Sequence, residues 1–354
     1  MPDRRTPTRP RYRHLTWLAI NAVVVVALIL IPLFAKPFQN GQYTQTLAIA
    51  VAVMGLALLT GFTGQVSVGH SAFFGVGAYF TAILKGTASM PTFGALGLAV
   101  VAGALIGALV GVPSLRIKGT YLAIVTLVLA ASFPAVVNLF SSVTAGTAGL
   151  SVDRIQSPPT FFLAVDQVRY YFVLIGLFVV ALLLLVLNRS RLGRSLRALG
   201  DNEIAATTFG VHAAQLRISV FSASAAVTAL GGGLFVLNSG FISSTTSYVT
   251  TVGSIELLTA LVIGGRALFL GPLIGTVIAE WVPRQVSEQA PEWSNFVYGA
   301  ILITVLLVVP GGITGFDPAR LTHRLRPQKQ SSPPPTALSS FTNSSQPSGS
   351  ESTV

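Results

Sequence analysis

The sequence contains no cysteine and few charged residues. Of its 354 residues, 9% are Asp, Glu, Lys or Arg, 52% are hydrophobic, and the mean hydropathy is +0.72. Soluble domains carry charge on roughly a quarter of their residues, so this composition excludes a soluble globular protein. The absence of cysteine excludes disulfides, thiolate metal sites and cysteine nucleophiles. We therefore expect an integral membrane protein.

Motifs of catalysis and nucleotide binding are also lacking. The four histidines are scattered, and neither an HExxH sequence nor a paired-carboxylate arrangement occurs. There is no GxxxxGK(S/T) motif, so we expect the chain to bind neither ATP nor a metal ion and to have no enzymatic activity of its own. The net charge of +11 comes from arginines at the ends of apolar runs. Membrane topology explains this pattern better than nucleic-acid binding.

Apolar runs long enough to cross a bilayer recur along the chain. A helical crossing needs about 20 apolar residues, and this criterion predicts about ten crossings in an all-α, multi-pass membrane protein. The crossings are expected near residues 15–35, 43–62, 67–84, 93–113, 119–139, 168–188, 216–238, 251–264, 267–283 and 295–310. Because the eighth and ninth are short, they are alternatively a re-entrant pair.

The same runs divide the chain into regions. Residues 1–14 form a basic N-terminal segment, 15–316 the transmembrane domain, and 317–354 a Ser/Pro/Thr-rich tail that is expected to be disordered. The longest loops between crossings are 140–167 and 189–216. Although a basic segment before an apolar run resembles a secretory signal, the run at 15–35 is too long for one, so we interpret it as a retained first crossing.

The distribution of basic residues predicts the orientation. With both termini in the cytosol, seventeen of the 22 lysines and arginines fall on the cytosolic side of this layout. Such an excess is the usual mark of cytosolic loops in membrane proteins. The layout therefore places loop 189–216 in the cytosol and loop 140–167 outside the cell membrane. The five exceptions are Lys36, Lys85, Arg154, Arg169 and Arg284.

Glycines and small residues are concentrated in the segment Leu59–Leu84, LTGFTGQVSVGHSAFFGVGAYFTAIL. Glycines in a membrane helix permit either close helix packing or unwound backbone beside a transport path. Close packing is the simpler interpretation for any single glycine. The candidates for lining a path in this segment are Gly64, Gln65, Ser67, Gly69, His70 and Gly75.

Two acidic residues lie within predicted crossings. An ionisable side chain inside the membrane is a functional candidate by default, so Glu256 is added to the candidate path residues. Glu280 and Glu256 both fall close to the outer ends of their segments, where an interfacial or structural role is the alternative. The sequence shows no deeper acidic or histidine relay of the kind that a proton-driven carrier needs.

The basic loop 189–216 contains a short helix signal. Asp201 or Asn202 can cap its start, Glu203 favours its first turn, and Gly210 can end it in the left-handed conformation. At helical spacing, one face then carries Ile204, Ala205, Thr208 and Phe209. Such a face suits docking into the groove of a partner protein or, alternatively, lying on the membrane surface.

Five ordered motifs and a closing PGGITGF resemble a known family, the LivM-type permeases of ATP-binding cassette (ABC) importers for branched-chain and other hydrophobic amino acids. The resemblance extends from Thr44 to Phe316 and departs from the family pattern at Gly200, where arginine is usual, and at Ala267, where glycine is usual. The motifs are GFTGQVSVGHSAFFGVGAY, KGTYLAIVTLVLA, VTAGTAGLSV, GRSLRALGDNEIAATTFGV and GGRALFLGPLIG.

The resemblance implies an inward transporter that pairs with a second permease of the LivH type, two cytosolic ATPases and an extracytoplasmic binding protein. ATP and Mg²⁺ would be bound by the ATPases. Urea and short-amide permeases share these motifs and are the first alternative, and a stand-alone secondary transporter is the second. By this resemblance the segment coupled to the ATPase comprises Asp201, Asn202, Glu203, Ile204, Ala205, Ala206, Phe209 and Gly210.

Overall fold

The computed structural model describes residues 12–117, 119–156, 163–265 and 269–289, together with 296, 299–300, 303–304 and 312–313. The expected tail 317–354, most of the basic segment 1–14 and most of the expected crossing 295–310 lie outside the described residues, as does Ala267. The long α-helices are α1 (Tyr12–Phe34), α2 (Pro37–Thr63), α3 (His70–Gly86), α4 (Thr92–Ser114), α5 (Thr120–Leu139), α7 (Val165–Arg189), α10 (Ala213–Ser239), α11 (Thr251–Gly264) and α12 (Leu270–Gln289).

Shorter elements connect these helices. The short helices are α6 (Ser141–Thr144), α8 (Arg191–Asp201), α9 (Glu203–Thr208) and a 3-10 turn at Ser247–Val249. The strands β1 (Leu150–Ser151) and β2 (Phe241–Ile242) form one antiparallel pair, with Leu150 opposite Ile242. The chain is thus predominantly helical, as the sequence predicts.

Five helices in the described part of the chain are both long and apolar enough to cross a membrane: Pro37–Thr63, Thr92–Ser114, Tyr121–Leu139, Val165–Arg189 and Ala213–Ser239. Shorter apolar helices occur at Asn21–Phe34 and Thr251–Gly264. A multi-pass membrane protein follows from these helices, whereas the predicted number of about ten crossings is not confirmed by them.

Helices α2 and α10 form the centre of the bundle. Most residues of α2 from Leu47 to Leu59 are almost inaccessible to solvent, and α10 packs against α2, α3 and α4. In contrast, α4, α5 and α7 expose many large apolar side chains, including Leu105, Val128 and Ile175. A soluble protein would bury such side chains, so their exposure fits a surface that faces lipid.

Glycines allow the central helices to approach closely. A methyl group at Gly232 of α10 would collide with the backbone carbonyl of Phe74 in α3, and one at Gly77 would collide with the carbonyl of Ala229. Between α10 and α2, a methyl group at Gly231 would lie 2.7 Å from the nitrogen of Ala52. Small residues at helix crossings are the usual means of packing in membranes. There, the hydrophobic effect does not drive helices together, because the lipid tails are as apolar as the side chains.

Helix α7 compensates for a proline in α1. Pro32 lacks an N–H group, so it cannot donate to the carbonyl of Leu28, four residues earlier. The hydroxyl of Tyr170 donates to that carbonyl instead, at 2.8 Å. Asn40 adds a second link, because its side-chain amide donates to the carboxylate of Asp166 at 2.6 Å and to the carbonyl of Pro32 at 3.1 Å. These bonds attach α1 to α2 and α7.

The described part of the predicted loop 140–167 packs against the end of α10. Pairing of β1 with β2 is extended by a bond of 2.9 Å from the nitrogen of Val152 to the carbonyl of Gly240. The guanidinium of Arg154 donates twice to the carbonyl of Ser239, at 2.8 and 3.1 Å. The loop therefore caps this end of the bundle, and α7 begins at Val165, two residues before the predicted loop boundary.

Candidate functional site

The turn between α2 and α3 carries most of the predicted path residues. Gly64 ends α2 in the left-handed conformation, with φ of 67°, and its nitrogen donates to the carbonyl of Thr60. Any other residue would be strained there. The chain then runs through Gln65 and Ser67 to His70, the first residue of α3.

His70 is fully buried and hydrogen-bonded on both sides of its ring. Its Nε2 lies 2.8 Å from the hydroxyl of Ser224, and its Nδ1 lies 3.0 Å from the hydroxyl of Ser67. Because Ser224 donates its own hydrogen to the carbonyl of Gly55, at 2.6 Å, it can only accept from His70. Nε2 therefore carries a hydrogen and donates it to Ser224.

Two further helices are attached to the same turn. The hydroxyl of Thr126 in α5 accepts from the nitrogen of Val68 at 3.0 Å. The hydroxyl of Ser254 in α11 accepts from the nitrogen of Ser71 at 3.1 Å and donates to its hydroxyl at 2.7 Å. Together with Ser224, these residues connect the turn to α2, α5, α10 and α11.

The two remaining glycines of the predicted path make close helix contacts. A methyl group at Gly69 would lie 2.5 Å from the carbonyl oxygen of Thr126, and one at Gly75 would collide with the ring of Phe133. Thus Gly69, His70 and Gly75 are packed within the chain. The side-chain oxygen of Gln65 differs from them, since it is buried and no described residue donates a hydrogen bond to it.

Glu256 lies apart from this turn. It lines a cavity of about 300 Å³ between α2, α11 and α12, together with Glu280 and Arg284. The hydroxyl of Ser247 donates to its carboxylate, at 3.2 Å and 3.4 Å from the two oxygens. The structure thus separates the predicted path residues into a group at the turn and the start of α3, where Ser67, Gly69 and His70 are buried, and one acid in a cavity.

The loop 189–216 contains two helices where the sequence predicts one. Helix α8 begins after Ser190, whose hydroxyl accepts from the nitrogen of Gly193 at 3.1 Å. Its buried face consists of Gly193, Leu196 and Leu199. A methyl group at Gly200 would lie 2.5 Å from the carbonyl oxygen of Phe62 at the end of α2, so a side chain such as the arginine usual in the family does not fit there.

The predicted short helix is present as α9. Asn202 provides the cap, with its side-chain oxygen accepting from the nitrogen of Ala205 at 3.1 Å, while Asp201 is the last residue of α8. Gly210 follows the helix at φ of 83°, as predicted. The carboxylate of Glu203 lies 2.8 Å from the guanidinium of Arg217, which attaches α9 to the first turns of α10.

The faces of α9 differ sharply in exposure. Ile204 and Phe209 are 80% and 89% exposed, and Ala205 and Thr208 are exposed beside them. These four residues are called the apolar patch below. Ala206 is only 5% exposed, so its side chain packs within the chain and does not belong to the patch.

Several residues at these sites have no signal in the sequence. Ser224 lies in a run of small residues, and Thr126 and Ser254 are isolated hydroxyls within apolar helices. Their partners are distant in the chain, since Ser224 and His70 are 154 positions apart and Ser254 and Ser71 are 183 positions apart. Hydrophobic periodicity reports only local structure, so it cannot pair such residues.

Comparison with known proteins identifies the family of this chain. A family model described as branched-chain amino acid transport system / permease component matches residues 41–306. The high-affinity branched-chain amino acid transport system permease protein LivM of Salmonella typhimurium is 28% identical over 84% of this chain and 74% of its own length. LivM of Escherichia coli K12 is 29% identical over 82% of this chain and 74% of its own length.

A more distant relative matches a shorter part of the chain. The autoinducer 2 import system permease protein LsrC of Escherichia coli is 30% identical over 53% of this chain. No solved structure matches significantly. The family model covers well over half of the sequence, including the turn between α2 and α3 and the loop with α8 and α9. The chain therefore belongs to the family of permease components of branched-chain amino acid transport systems.

Proposed function

We propose that this chain is the membrane-spanning subunit of an ABC importer that carries branched-chain amino acids into the cell. The observation that carries the proposal is the match to two LivM proteins over more than four fifths of the chain. ATP hydrolysis takes place in partner subunits, which hold ATP and Mg²⁺. A second permease of the LivH type, two ATPases and an extracytoplasmic binding protein complete the importer.

The apolar patch on α9 is the proposed docking surface for an ATPase. Ile204 and Phe209 are large, exposed apolar side chains on a loop rich in arginine, and this loop lies on the predicted cytosolic side. A helix of this kind can insert its apolar face into a groove of a partner. The surrounding basic residues Arg191, Arg194 and Arg197 of α8 keep the loop out of the bilayer.

Contacts inside the chain provide a route from this patch to the central helices. Helix α8 rests on the end of α2 where Gly200 meets Phe62, and Glu203 of α9 pairs with Arg217 of α10. A force on α9 therefore acts on α2 and α10 together. We propose that closure of the ATPases moves this unit and switches the path between outward and inward openings.

The proposed topology follows the distribution of charge. In this topology the chain crosses the cell membrane about ten times, and both termini lie in the cytosol. The segment from Gly64 to Gly75, which comprises the turn and the start of α3, is proposed to fix the helices beside the path, whereas Glu256 lines it.

Reconstitution tests this function directly. The permease is expressed with its neighbouring subunits, purified through a tag on this chain, and the copurifying proteins are identified by mass spectrometry. The complex is then placed in liposomes with ATP at the ATPase side and the binding protein opposite. We expect ATP-dependent uptake of L-leucine, L-isoleucine and L-valine. Uptake of urea with none of these amino acids would overturn the substrate assignment, and uptake without any ATPase would overturn the importer assignment.

A further inference from the structure

The cavity that contains Glu256 combines two kinds of surface. Three side chains in its wall are ionisable: Glu256, Glu280 and Arg284. The remainder of the wall is largely apolar and includes Ile49, Ile255 and Ala279. Its volume of about 300 Å³ is at the lower end of the range for small-molecule sites.

The cation of the cavity is only partly paired. One nitrogen of the Arg284 guanidinium, Nη2, lies 3.4 Å from the carboxylate of Glu280. The other, Nη1, is buried and has no hydrogen-bond partner among the residues that the structure describes. The guanidinium also lies over the ring of Trp281, 5.9 Å from its centre, which restricts its position. Arg284 therefore retains donor capacity for a second carboxylate, the group that guanidinium binds best.

The second acid of the cavity, Glu256, forms no ion pair within the described part of the chain. Among the described residues, the only hydrogen-bond donor to the carboxylate of Glu256 is the hydroxyl of Ser247. The described ion pairs, Glu203 with Arg217 and Glu280 with Arg284, leave it out. With two carboxyl groups and one guanidinium in its wall, the cavity holds one acid more than its arginine can pair.

The surroundings make this imbalance costly. Val252 and Ile255 at the cavity wall are 56% and 45% exposed, and Val277 on the neighbouring helix is also exposed. Such a surface faces lipid or another membrane protein. Ionisable residues in this position are found where they line a water-filled path or pair with another charge. The missing cation therefore points to a ligand that brings its own ammonium group.

We propose that this cavity is a binding site for the zwitterionic end of an apolar α-amino acid during its passage through the membrane. The α-ammonium pairs with Glu256, the α-carboxylate with Arg284, and the hydrocarbon side chain lies against Ile49, Ile255 and Ala279. The proposal rests on the proposed function for the identity of the substrate, and it adds the residues that recognise it.

The test measures binding to the permease–ATPase complex without the binding protein. Equilibrium dialysis with radiolabelled L-leucine gives its affinity, and competition gives the affinities of 4-methylpentanoate, which lacks the ammonium, and 3-methylbutylamine, which lacks the carboxylate. The variants are Glu256→Gln and Arg284→Gln. Asp166→Asn is the matched control, because this acid lies outside the cavity and its replacement can keep a hydrogen bond with Asn40.

The expected result is a reciprocal pattern. Glu256→Gln should lower the affinity for leucine and for 3-methylbutylamine by about tenfold or more, because both carry the ammonium. The affinity for 4-methylpentanoate, which lacks this group, should be unchanged. Arg284→Gln should weaken the binding of leucine and 4-methylpentanoate, which carry the carboxylate, but not the binding of 3-methylbutylamine. Arg284→Lys keeps the charge and should restore part of the loss.

Three results would overturn the proposal. The first is an equal loss of affinity for all three ligands, which would indicate a structural role of the two residues. The second is unchanged affinities in both variants. The third is the absence of saturable leucine binding to the wild-type complex. Each is distinguishable from failure of the proposed function, since ATP-dependent leucine uptake by the complete wild-type importer is measured in parallel.

Discussion

The imidazole of His70 donates a hydrogen bond to the hydroxyl of Ser224, 2.8 Å away, at the point where α3, α2 and α10 meet. Both residues are buried, and every polar atom of the pair has a partner. A satisfied buried network of this kind holds the helices in one arrangement. The pair therefore fixes the turn that begins at Gly64 against the centre of the bundle.

Removal of one partner should destabilise the protein. Ser224→Ala leaves the Nε2–H of His70 and the carbonyl of Gly55 without their partner, at a cost of about 1–3 kcal/mol. Ser219→Ala on the same helix is the control, because Ser219 is exposed and, among the described residues, its hydroxyl bonds only to the carbonyl of Gln215. Heating followed by size-exclusion chromatography measures the difference. Equal midpoints of thermal unfolding for the two variants would contradict the stabilising role of the His70–Ser224 pair.

Two glycines in helices should respond oppositely to alanine. Gly232→Ala places a methyl group against the carbonyl of Phe74, and overpacking of this kind costs about 1–3 kcal/mol. Gly97→Ala in α4 meets no atom within 4 Å and should stabilise the helix by about 0.5–1 kcal/mol. The same thermal assay measures both. A midpoint for Gly232→Ala at or above that of the wild type would show that α10 and α3 can separate without cost.

Sequence patterns predict the long helices but not their contacts. Nine of the ten predicted apolar runs fall on helices of the described chain. They can be predicted because the length and hydrophobicity of a run are local properties of the sequence. Helix α8 is missed, since its buried face has only Gly193, Leu196 and Leu199 among polar residues. Bonds such as that between His70 and Ser224 join distant segments, and no local pattern specifies them.

The face of α9 illustrates a second limit. From local chemistry the sequence predicts a cap at Asp201 or Asn202 and an end at Gly210, and the structure has the cap at Asn202 and the left-handed Gly210 after the helix. Ala205 and Ala206 are identical in type, yet the first is exposed and the second is buried. Helical spacing places Ala205 and Ala206 on different faces, but which of these faces is exposed depends on how α9 lies on α10, and this is a tertiary contact that single-sequence periodicity does not contain.

The orientation of the chain can be tested with single cysteines, since the natural sequence has none. Ser151→Cys lies in β1 on the predicted outer side, and Ser195→Cys lies in α8 on the predicted cytosolic side. In intact cells, a membrane-impermeant thiol reagent should label the first variant, and the second should react only after the membrane is opened. The reverse pattern would invert the proposed topology.

The docking role of α9 is tested by two neighbouring alanines. Ala205→Glu adds a charge to the exposed apolar patch, where it should change the stability of the isolated chain by no more than about 0.5 kcal/mol. If the patch is buried against the ATPase, the same charge would be desolvated without a partner, which costs about 3 kcal/mol or more. We therefore expect normal abundance and melting of the permease, together with loss of ATPase copurification and of ATP-dependent uptake.

Ala206→Glu provides the contrast, because that side chain is buried within the chain itself. A carboxylate there should lower the thermal stability and abundance of the permease even when no ATPase is expressed, through the cost of an unpaired buried charge. The two variants thus separate docking from folding, since they differ by one position on a short helix. Retention of the ATPase and of uptake in Ala205→Glu would assign α9 to the membrane surface and remove the patch from the coupling route.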